Sequence, residues 1–158
     1  ARVITVSSEA HRGASINFDN LNAEGSYNPL QAYAQSKLAN ILFTHELARR
    51  MQDKGVLANA VHPGVVDTNL WRGSGWISWI GRLFSGLYKP PDEGARSVVY
   101  LAASPEVEGV TGQYFNETDI VNPSPEAYDE KVEARLWTKR RELTGLAEAT
   151  EVGQEDEE

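Results

Sequence analysis

The sequence predicts an α/β fold built on a parallel sheet, and two observations lead to this class. A long helical pattern, from Pro29 to about Gly55, lies between two short runs of apolar and β-branched residues that are typical of strands. Strand, helix and strand form a βαβ unit, whose strands pair in parallel and end at the same rim of the sheet. Ligands of open α/β sheets bind at that rim, so residues that follow each strand are candidates for function.

The first strand is Arg2 to Val6 (RVITV), followed by Ser7 and Ser8. A polar segment without periodicity then reaches Asn28, and connections of this length are usually functional or disordered. Asn28 and Pro29 are typical of a helix start, and the helix is predicted to run for about 26 residues. The second strand, Val56 to Val61, ends at His62-Pro63-Gly64, through which no helix could continue.

The second half of the chain predicts two more helices and one more strand. Asp92 can cap a helix over residues 93–104, and Gly112 to Asn116 (GQYFN) is a third strand. Ser124 and Pro125 begin a last helix over residues 126–143. Its predicted core stripe consists of Tyr128, Val132, Leu136 and Leu143.

Trp71 to Tyr88 is an aromatic segment interrupted by glycines. It is too interrupted for a core strand and too apolar for a solvated loop. Three interpretations stay open: core, a lid over an apolar substrate, or peripheral membrane contact through its aromatic rings.

Composition excludes several classes of function. The net charge of −8 argues against a nucleic-acid partner, and six acidic residues follow Leu146 without a base. We therefore expect one domain over residues 1–146 and an acidic disordered tail over residues 147–158. The chain has no cysteine, and its three histidines share no ligand spacing, so no metal site is expected. No apolar run approaches the roughly 20 residues of a membrane span, so we expect the chain as written to be soluble and its parent protein to be cytoplasmic or membrane-associated. The sequence does not indicate the compartment.

Tyr33 and Lys37 are the main candidates for chemistry. At positions i and i+4 their side chains share one helix face. A phenol, with a pKa of about 10, is a poor acid or base at neutral pH, and a neighbouring ammonium favours the phenolate. The pair alone also fits an ordinary helix surface, with a half-buried tyrosine beside an extended lysine.

The ends of the two strands strengthen this hypothesis. Ser8 precedes Tyr33 by 25 residues, and Pro63-Gly64 closes the parallel strand that follows the helix. The βαβ geometry brings all three elements to one rim. There the Ser8 hydroxyl could hold a carbonyl oxygen, Tyr33 could pass it a proton, and the backbone at Pro63-Gly64 could approach a flat ring. Ser7 is the alternative to Ser8.

The segments VSSEAHR, YNPLQAYAQSKLAN and NAVHPGVVDTNL resemble the second half of the short-chain dehydrogenases/reductases, and among them the retinol dehydrogenase and WW-domain-containing oxidoreductase group. The resemblance implies a Rossmann-type doubly wound sheet and an NADP cofactor, with NAD as the alternative. It also implies a lipophilic alcohol or carbonyl substrate, and an oligomer is compatible with it. The implied catalytic residues are Ser8, Tyr33 and Lys37. The implied cofactor-binding residues are Tyr33, Lys37, Pro63, Gly64, Val66 and Thr68.

The chain also departs from this family. A Gly-rich phosphate-binding turn after a first strand, which the family carries in its amino-terminal half, is absent. We therefore expect the carboxyl-terminal part of the fold, with about three strands and Arg2 to Val6 at an open edge. On that basis we expect the isolated 158-residue chain to be marginally stable, oligomeric or dependent on the missing half, and to bind the cofactor weakly or not at all. The rival hypothesis is a non-catalytic truncated fragment that pairs with another chain through the open edge.

Overall fold

The computed structural model describes residues 1–64 and 91–146. Within them, four strands form one sheet in the order β1-β2-β3-β4. The strands are β1 (Arg2–Val6), β2 (Leu57–His62), β3 (Tyr114–Asn116) and β4 (Asp119–Ile120). β1, β2 and β3 pair in parallel, whereas β4 folds back antiparallel on β3. The parallel pairing of the first three strands was predicted, and the two-residue β4 was not.

Helix α1 (Pro29–Arg50) connects β1 to β2 and completes the βαβ unit. The Asn28 side chain caps its first turn by accepting hydrogen bonds from the backbone N–H groups of Leu30 and Gln31. The helix is shorter than predicted, because the backbone tightens into a 3₁₀ turn at Gln52–Lys54. Gly55 then takes a left-handed conformation (φ 65°), which ends the helical region.

Two further helices, α2 (Pro91–Ala103) and α3 (Glu130–Thr144), follow in the second half. The prediction of one continuous last helix was wrong. A 3₁₀ turn at Pro125–Tyr128 comes first, and Asp129 then caps α3 through the N–H groups of residues 131 and 132. An Asp side chain that accepts hydrogen bonds from the backbone N–H groups two and three residues later stabilises the start of a helix and not its interior.

The core lies on both faces of the sheet. Alternate residues of β2 and β3 point to opposite sides, so that Ala60 and Tyr114 pack with α1 and α3 while Val61 and Phe115 pack with α2. Helices on both faces of a parallel sheet define the predicted doubly wound α/β class, which is confirmed. The predicted stripe of the last helix holds at the buried Leu136 but is wrong for Tyr128 and Leu143, which are 53% and 56% exposed.

No helix among residues 1–64 and 91–146 is long and apolar enough to cross a membrane. The same residues contain no cluster of three or more His, Asp or Glu side chains that could hold a metal ion. Several predictions lie outside the described residues. They concern Val66, Thr68, the aromatic segment Trp71 to Tyr88 and the acidic tail over residues 147–158.

Candidate active site

The carboxyl ends of β1 and β2 lie side by side and form one rim, where Ser8 and the Pro63-Gly64 turn follow the strands. Val6 is the register partner of Val61, and the Ser7 N–H donates to the Val61 carbonyl at 2.7 Å. Ser8 and Pro63 each follow these partners by two residues. The pairing therefore places Ser8 and the Pro63-Gly64 turn at the same level of the sheet.

The two serines after β1 have different environments. Ser7 is 2% exposed, and its hydroxyl donates to the Lys37 carbonyl at 2.7 Å. Ser8 begins the 3₁₀ turn Glu9–His11, and its Oγ accepts a hydrogen bond from the Ala10 N–H at 3.2 Å. No acceptor for the Ser8 hydroxyl hydrogen is found among the described residues. Ser8 is thus the serine whose hydroxyl can still donate to a ligand.

Helix α1 is fixed against the end of β1 by two hydrogen bonds. One is the bond from Ser7 to the Lys37 carbonyl, and in the other the Asn40 side-chain amide donates to the Val6 carbonyl at 2.9 Å. α1 also contacts the turn that Ser8 caps. Neither bond involves a candidate catalytic side chain, and together they hold α1 against the end of β1.

Tyr33 and Lys37 lie next to each other on α1, and both are half-buried. The Lys37 ammonium Nζ is 5.3 Å from the centroid of the Tyr33 ring. Burial lowers the pKa of Lys37, because the charged form loses water contacts. A partly buried cation therefore lies beside the phenol ring of Tyr33.

The turn after β2 is shaped by its backbone. Gly64 has a φ of 80°, a left-handed conformation that favours glycine, and it follows Pro63 directly. The His62 carbonyl accepts the Glu117 N–H at 2.8 Å, which brings the end of β3 to the same rim. Burial lowers the pKa of the His62 side chain.

Sequence reasoning missed a hydrogen-bonded network directly behind Ser8. The segment Glu9 to Arg12 was predicted as part of a structureless connection, but three of its side chains bond residues more than 100 positions away. The pairs are Glu9 with the Tyr114 hydroxyl (2.8 Å), His11 with the Ser124 N–H (3.0 Å) and Arg12 with the Asn122 carbonyl (3.0 Å). Three polar side chains within four residues were the available signal, but no periodicity indicates partners so distant in sequence.

The network also determines the charge states of its members. Burial alone would raise the pKa of Glu9, but hydrogen bonds from Arg12 and Tyr114 outweigh it and hold this pKa below its usual value. Burial raises the pKa of Tyr114 strongly, and its bond to Glu9 adds to the shift. Burial lowers the pKa of His11. The region behind Ser8 thus favours an ionised carboxylate, a neutral phenol and a neutral imidazole at neutral pH.

A polar cleft of about 260 Å³ lies between residues 13–28 and the first turns of α1. Asn17, Asn20, Gln31 and Gln35 are among the residues that line it. Its lining contains neither Ser8 nor Tyr33 nor Lys37, so this cleft is separate from the candidate rim.

Comparisons with known proteins agree with the doubly wound α/β class of the fold. A family model described as "Enoyl-(Acyl carrier protein) reductase" matches residues 2–116. Human retinol dehydrogenase 14 is 45% identical over 150 residues, which cover 92% of this chain and 45% of that protein. Human polyprenol dehydrogenase is 42% identical over 154 residues, covering 95% of this chain and 47% of that protein.

Solved structures agree. An uncharacterized protein from Mycobacterium paratuberculosis superimposes with a TM-score of 0.68 and 35% identity, over 91% of this chain and 50% of the other. A double mutant of a Serratia marcescens short-chain dehydrogenase/reductase gives a TM-score of 0.52 and 25% identity, over 80% of this chain and 45% of the other.

The chain belongs to the short-chain dehydrogenase/reductase family. It spans about half the length of the curated relatives that it matches.

Proposed function

We propose that this chain carries the proton-transfer side of an NAD(P)-dependent oxidoreductase that interconverts an apolar alcohol and its aldehyde or ketone. The observation that supports the proposal is the bond from the Ser7 hydroxyl to the Lys37 carbonyl, because it joins the helix that carries Tyr33 and Lys37 to the residue next to Ser8. A hydroxyl with a free hydrogen, a phenol and a partly buried ammonium are the groups that alcohol and carbonyl interconversion requires.

Each side chain has a definite role in this proposal. During carbonyl reduction, Tyr33 gives its hydroxyl proton to the substrate oxygen, and during alcohol oxidation it takes that proton back. The Ser8 hydroxyl donates a hydrogen bond to the same oxygen and so stabilises the negative charge that develops there. Lys37 places a positive charge 5.3 Å from the centroid of the Tyr33 ring, where it can offset the negative charge that develops at the reacting oxygen atoms.

The residues at the rim fit a nicotinamide cofactor, which supplies the hydride when it is bound. Lys37 offers donor hydrogens for ribose hydroxyl groups, and the turn at Pro63-Gly64 exposes backbone at the end of β2, where nucleotides bind to such sheets. Val66 and Thr68 complete the proposed cofactor-binding set. We propose NADP with NAD as the alternative, since no residue of the rim within residues 1–64 and 91–146 distinguishes them.

The proposed substrate class is a lipophilic alcohol or carbonyl compound. Relatives at 45% and 42% identity are named as dehydrogenases of retinol and of polyprenol, both long apolar alcohols. The aromatic segment Trp71 to Tyr88 offers the matching chemistry, as a lid over such a substrate or as a peripheral membrane contact.

The test uses the whole protein that contains this chain, with long-chain aldehydes and ketones as substrates and NADPH or NADH as reductant. We expect Tyr33→Phe to lower kcat by at least about 100-fold while cofactor affinity stays unchanged. Tyr27→Phe is the matched control, because this phenol precedes α1 and is 68% exposed. Retained turnover in Tyr33→Phe, or equal losses in both variants, would remove the assignment.

A second function is favoured by the sheet order. β1 is an edge strand, and no described residue pairs with its outer side. Parallel strands are usually paired on both sides, so we propose a non-catalytic alternative in which another chain adds a strand to β1. Sedimentation of the 158-residue chain should then show an oligomer that Thr5→Lys weakens. A monomer at all concentrations would exclude this alternative.

A further inference from the structure

His11 joins the turn of Ser8 to a distant part of the chain. Its ring Nδ1 lies 2.7 Å from the Ser8 carbonyl oxygen, and its Nε2 lies 3.0 Å from the backbone nitrogen of Ser124. The ring is fully buried and packs edge-on against Tyr114, with 5.0 Å between the ring centroids. His11 therefore connects the end of β1 with the segment that follows β4.

The two partners of the ring determine its tautomer. A carbonyl oxygen can only accept a hydrogen bond, so Nδ1 must carry the hydrogen. A backbone N–H can only donate, so Nε2 must offer its lone pair. Both bonds coexist only in the neutral Nδ1–H form. Protonation of Nε2 would turn a hydrogen bond into a contact between two N–H groups inside the core.

This arrangement bears on Ser8 because its carbonyl accepts twice from the same residue. The His11 backbone N–H donates to it at 3.0 Å, in addition to the ring. The Ser8 Oγ in turn accepts from the Ala10 N–H. The position of the Ser8 hydroxyl thus depends on a turn whose only buried side chain is His11.

We propose that His11 is a positioning residue that holds the Ser8 hydroxyl in place by bridging the Ser8 carbonyl to the Ser124 N–H, and that protonation at Nε2 breaks the bridge on the Ser124 side and so loosens the turn that Ser8 begins. The proposal rests on the role given to Ser8 under the proposed function. His11 touches no substrate in it, and acts only through the turn that Ser8 begins.

Charged and titratable groups from several elements surround the ring. Glu9 and Arg12 come from its own turn, Tyr114 from β3, Glu126 from the 3₁₀ turn at Pro125–Tyr128, and His62 from the end of β2. Burial has the largest effect and opposes a proton on His11, as does Arg12, whereas the bond to the Ser8 carbonyl and the charges of Glu9 and Glu126 favour one. His62 is the other group whose protonation could change the rim at acidic pH.

The first part of the test is independent of catalysis and uses the 158-residue chain. NMR of ring nitrogens in the ¹⁵N-labelled chain should show His11 as the neutral Nδ1–H tautomer at pH 7.5. As pH falls, the amide of Ala10 should lose protection from hydrogen exchange together with the protonation of His11. A different tautomer, or an Ala10 amide that stays protected while His11 titrates, would overturn the proposal.

The second part uses the whole protein and the variant His11→Asn. The Asn amide can replace the Nδ1 donor to Ser8, but it has no Nε2 acceptor and does not titrate near neutral pH. We expect kcat at pH 7.5 to fall by about 3- to 10-fold with KM unchanged, as for one lost hydrogen bond. The loss of kcat on acidification that we expect of the wild type should disappear in His11→Asn.

His62→Asn is the matched control in the second part. If the acid-dependent loss of kcat persists in His11→Asn, or disappears in His62→Asn instead, the proposal is wrong. A role of His11 in folding alone would lower the amount of active protein without changing the pH profile, which also contradicts it. If the wild type shows no turnover, the proposed function fails, and the NMR experiment still decides the role of His11.

Discussion

Removing one hydroxyl group, in Tyr114→Phe, tests the network behind Ser8 without changing a proposed catalytic residue. Tyr114 is 1% exposed, and its hydroxyl donates to the Glu9 carboxylate at 2.8 Å. A hydrogen bond to a charged group contributes about 1.5–3 kcal/mol, and we take the low end because the Glu9 side chain is 39% exposed to water. The expected loss of unfolding free energy is about 1.5 kcal/mol.

Urea denaturation of the 158-residue chain measures this loss. With an m-value of about 2 kcal/mol/M, the midpoint should fall by about 0.7 M. Tyr100→Phe is the matched control, since Tyr100 also donates to a glutamate, Glu106 at 3.0 Å, but in an exposed pair. We expect its midpoint to equal that of the wild type.

The effect should also depend on pH with a definite sign. The pKa of Glu9 is held below its usual value in the folded chain, so the stability from its bonds is present above its unfolded pKa. That stability is lost as pH falls through the lower folded pKa. The difference between wild type and Tyr114→Phe should therefore shrink under acid. A loss below about 0.5 kcal/mol at neutral pH, or one equal to that of Tyr100→Phe, would refute the reasoning.

Three further predictions concern the anchoring of α1, the contact between α1 and α3, and cofactor binding. Ser7→Ala leaves the Lys37 carbonyl without its 2.7 Å hydrogen bond. We expect the free energy of unfolding, measured by urea denaturation, to fall by about 1 kcal/mol, and kcat of the whole protein to fall as well. An unchanged kcat would contradict the anchoring role. Arg49 bonds both Glu46 on α1 and Glu133 on α3, whose side chains are each 3% exposed. Because Arg49 itself is half-exposed, Arg49→Met should lower the free energy of unfolding by about 2 kcal/mol, less than the loss of a fully buried ion pair would. An unchanged free energy of unfolding would exclude a stabilising role of these pairs. In thermal-shift titrations, micromolar NADPH or NADH should not raise the melting temperature of the 158-residue chain, because the sequence offers no Gly-rich turn for the cofactor phosphates. A clear rise in the melting temperature would contradict this prediction.

The βαβ unit could be predicted because its signals are local. Asn28 and Pro29 indicate the start of α1, and the run RVITV indicates a buried-type strand by composition alone. Parallel pairing then follows from the long helix between the strands. The rim at Ser8 and Pro63-Gly64 could also be predicted, since it needs only the strand ends and the direction of pairing.

Features that depend on tertiary contacts could not be predicted in this way. The spacing of apolar residues predicts one helix that runs through Asp129. In the structure the Asp129 side chain instead caps the start of a new helix, and the sequence pattern alone does not decide between the two. Tyr128 fits the helical stripe by spacing, but the 3₁₀ turn removes it from the core face. The bonds of His11 and Glu9 join residues more than 100 positions apart, which a local pattern does not encode.

The central claim is that Ser8 and Tyr33 act on one substrate oxygen, and a double-mutant cycle on kcat in the whole protein tests it most directly. Ser8→Ala and Tyr33→Phe should each lower kcat by about 100-fold or more. If both groups serve the same oxygen, the double variant should lose little more than Tyr33→Phe alone. Losses that multiply to about 10,000-fold or more would mean that the two side chains act independently, and would contradict the account.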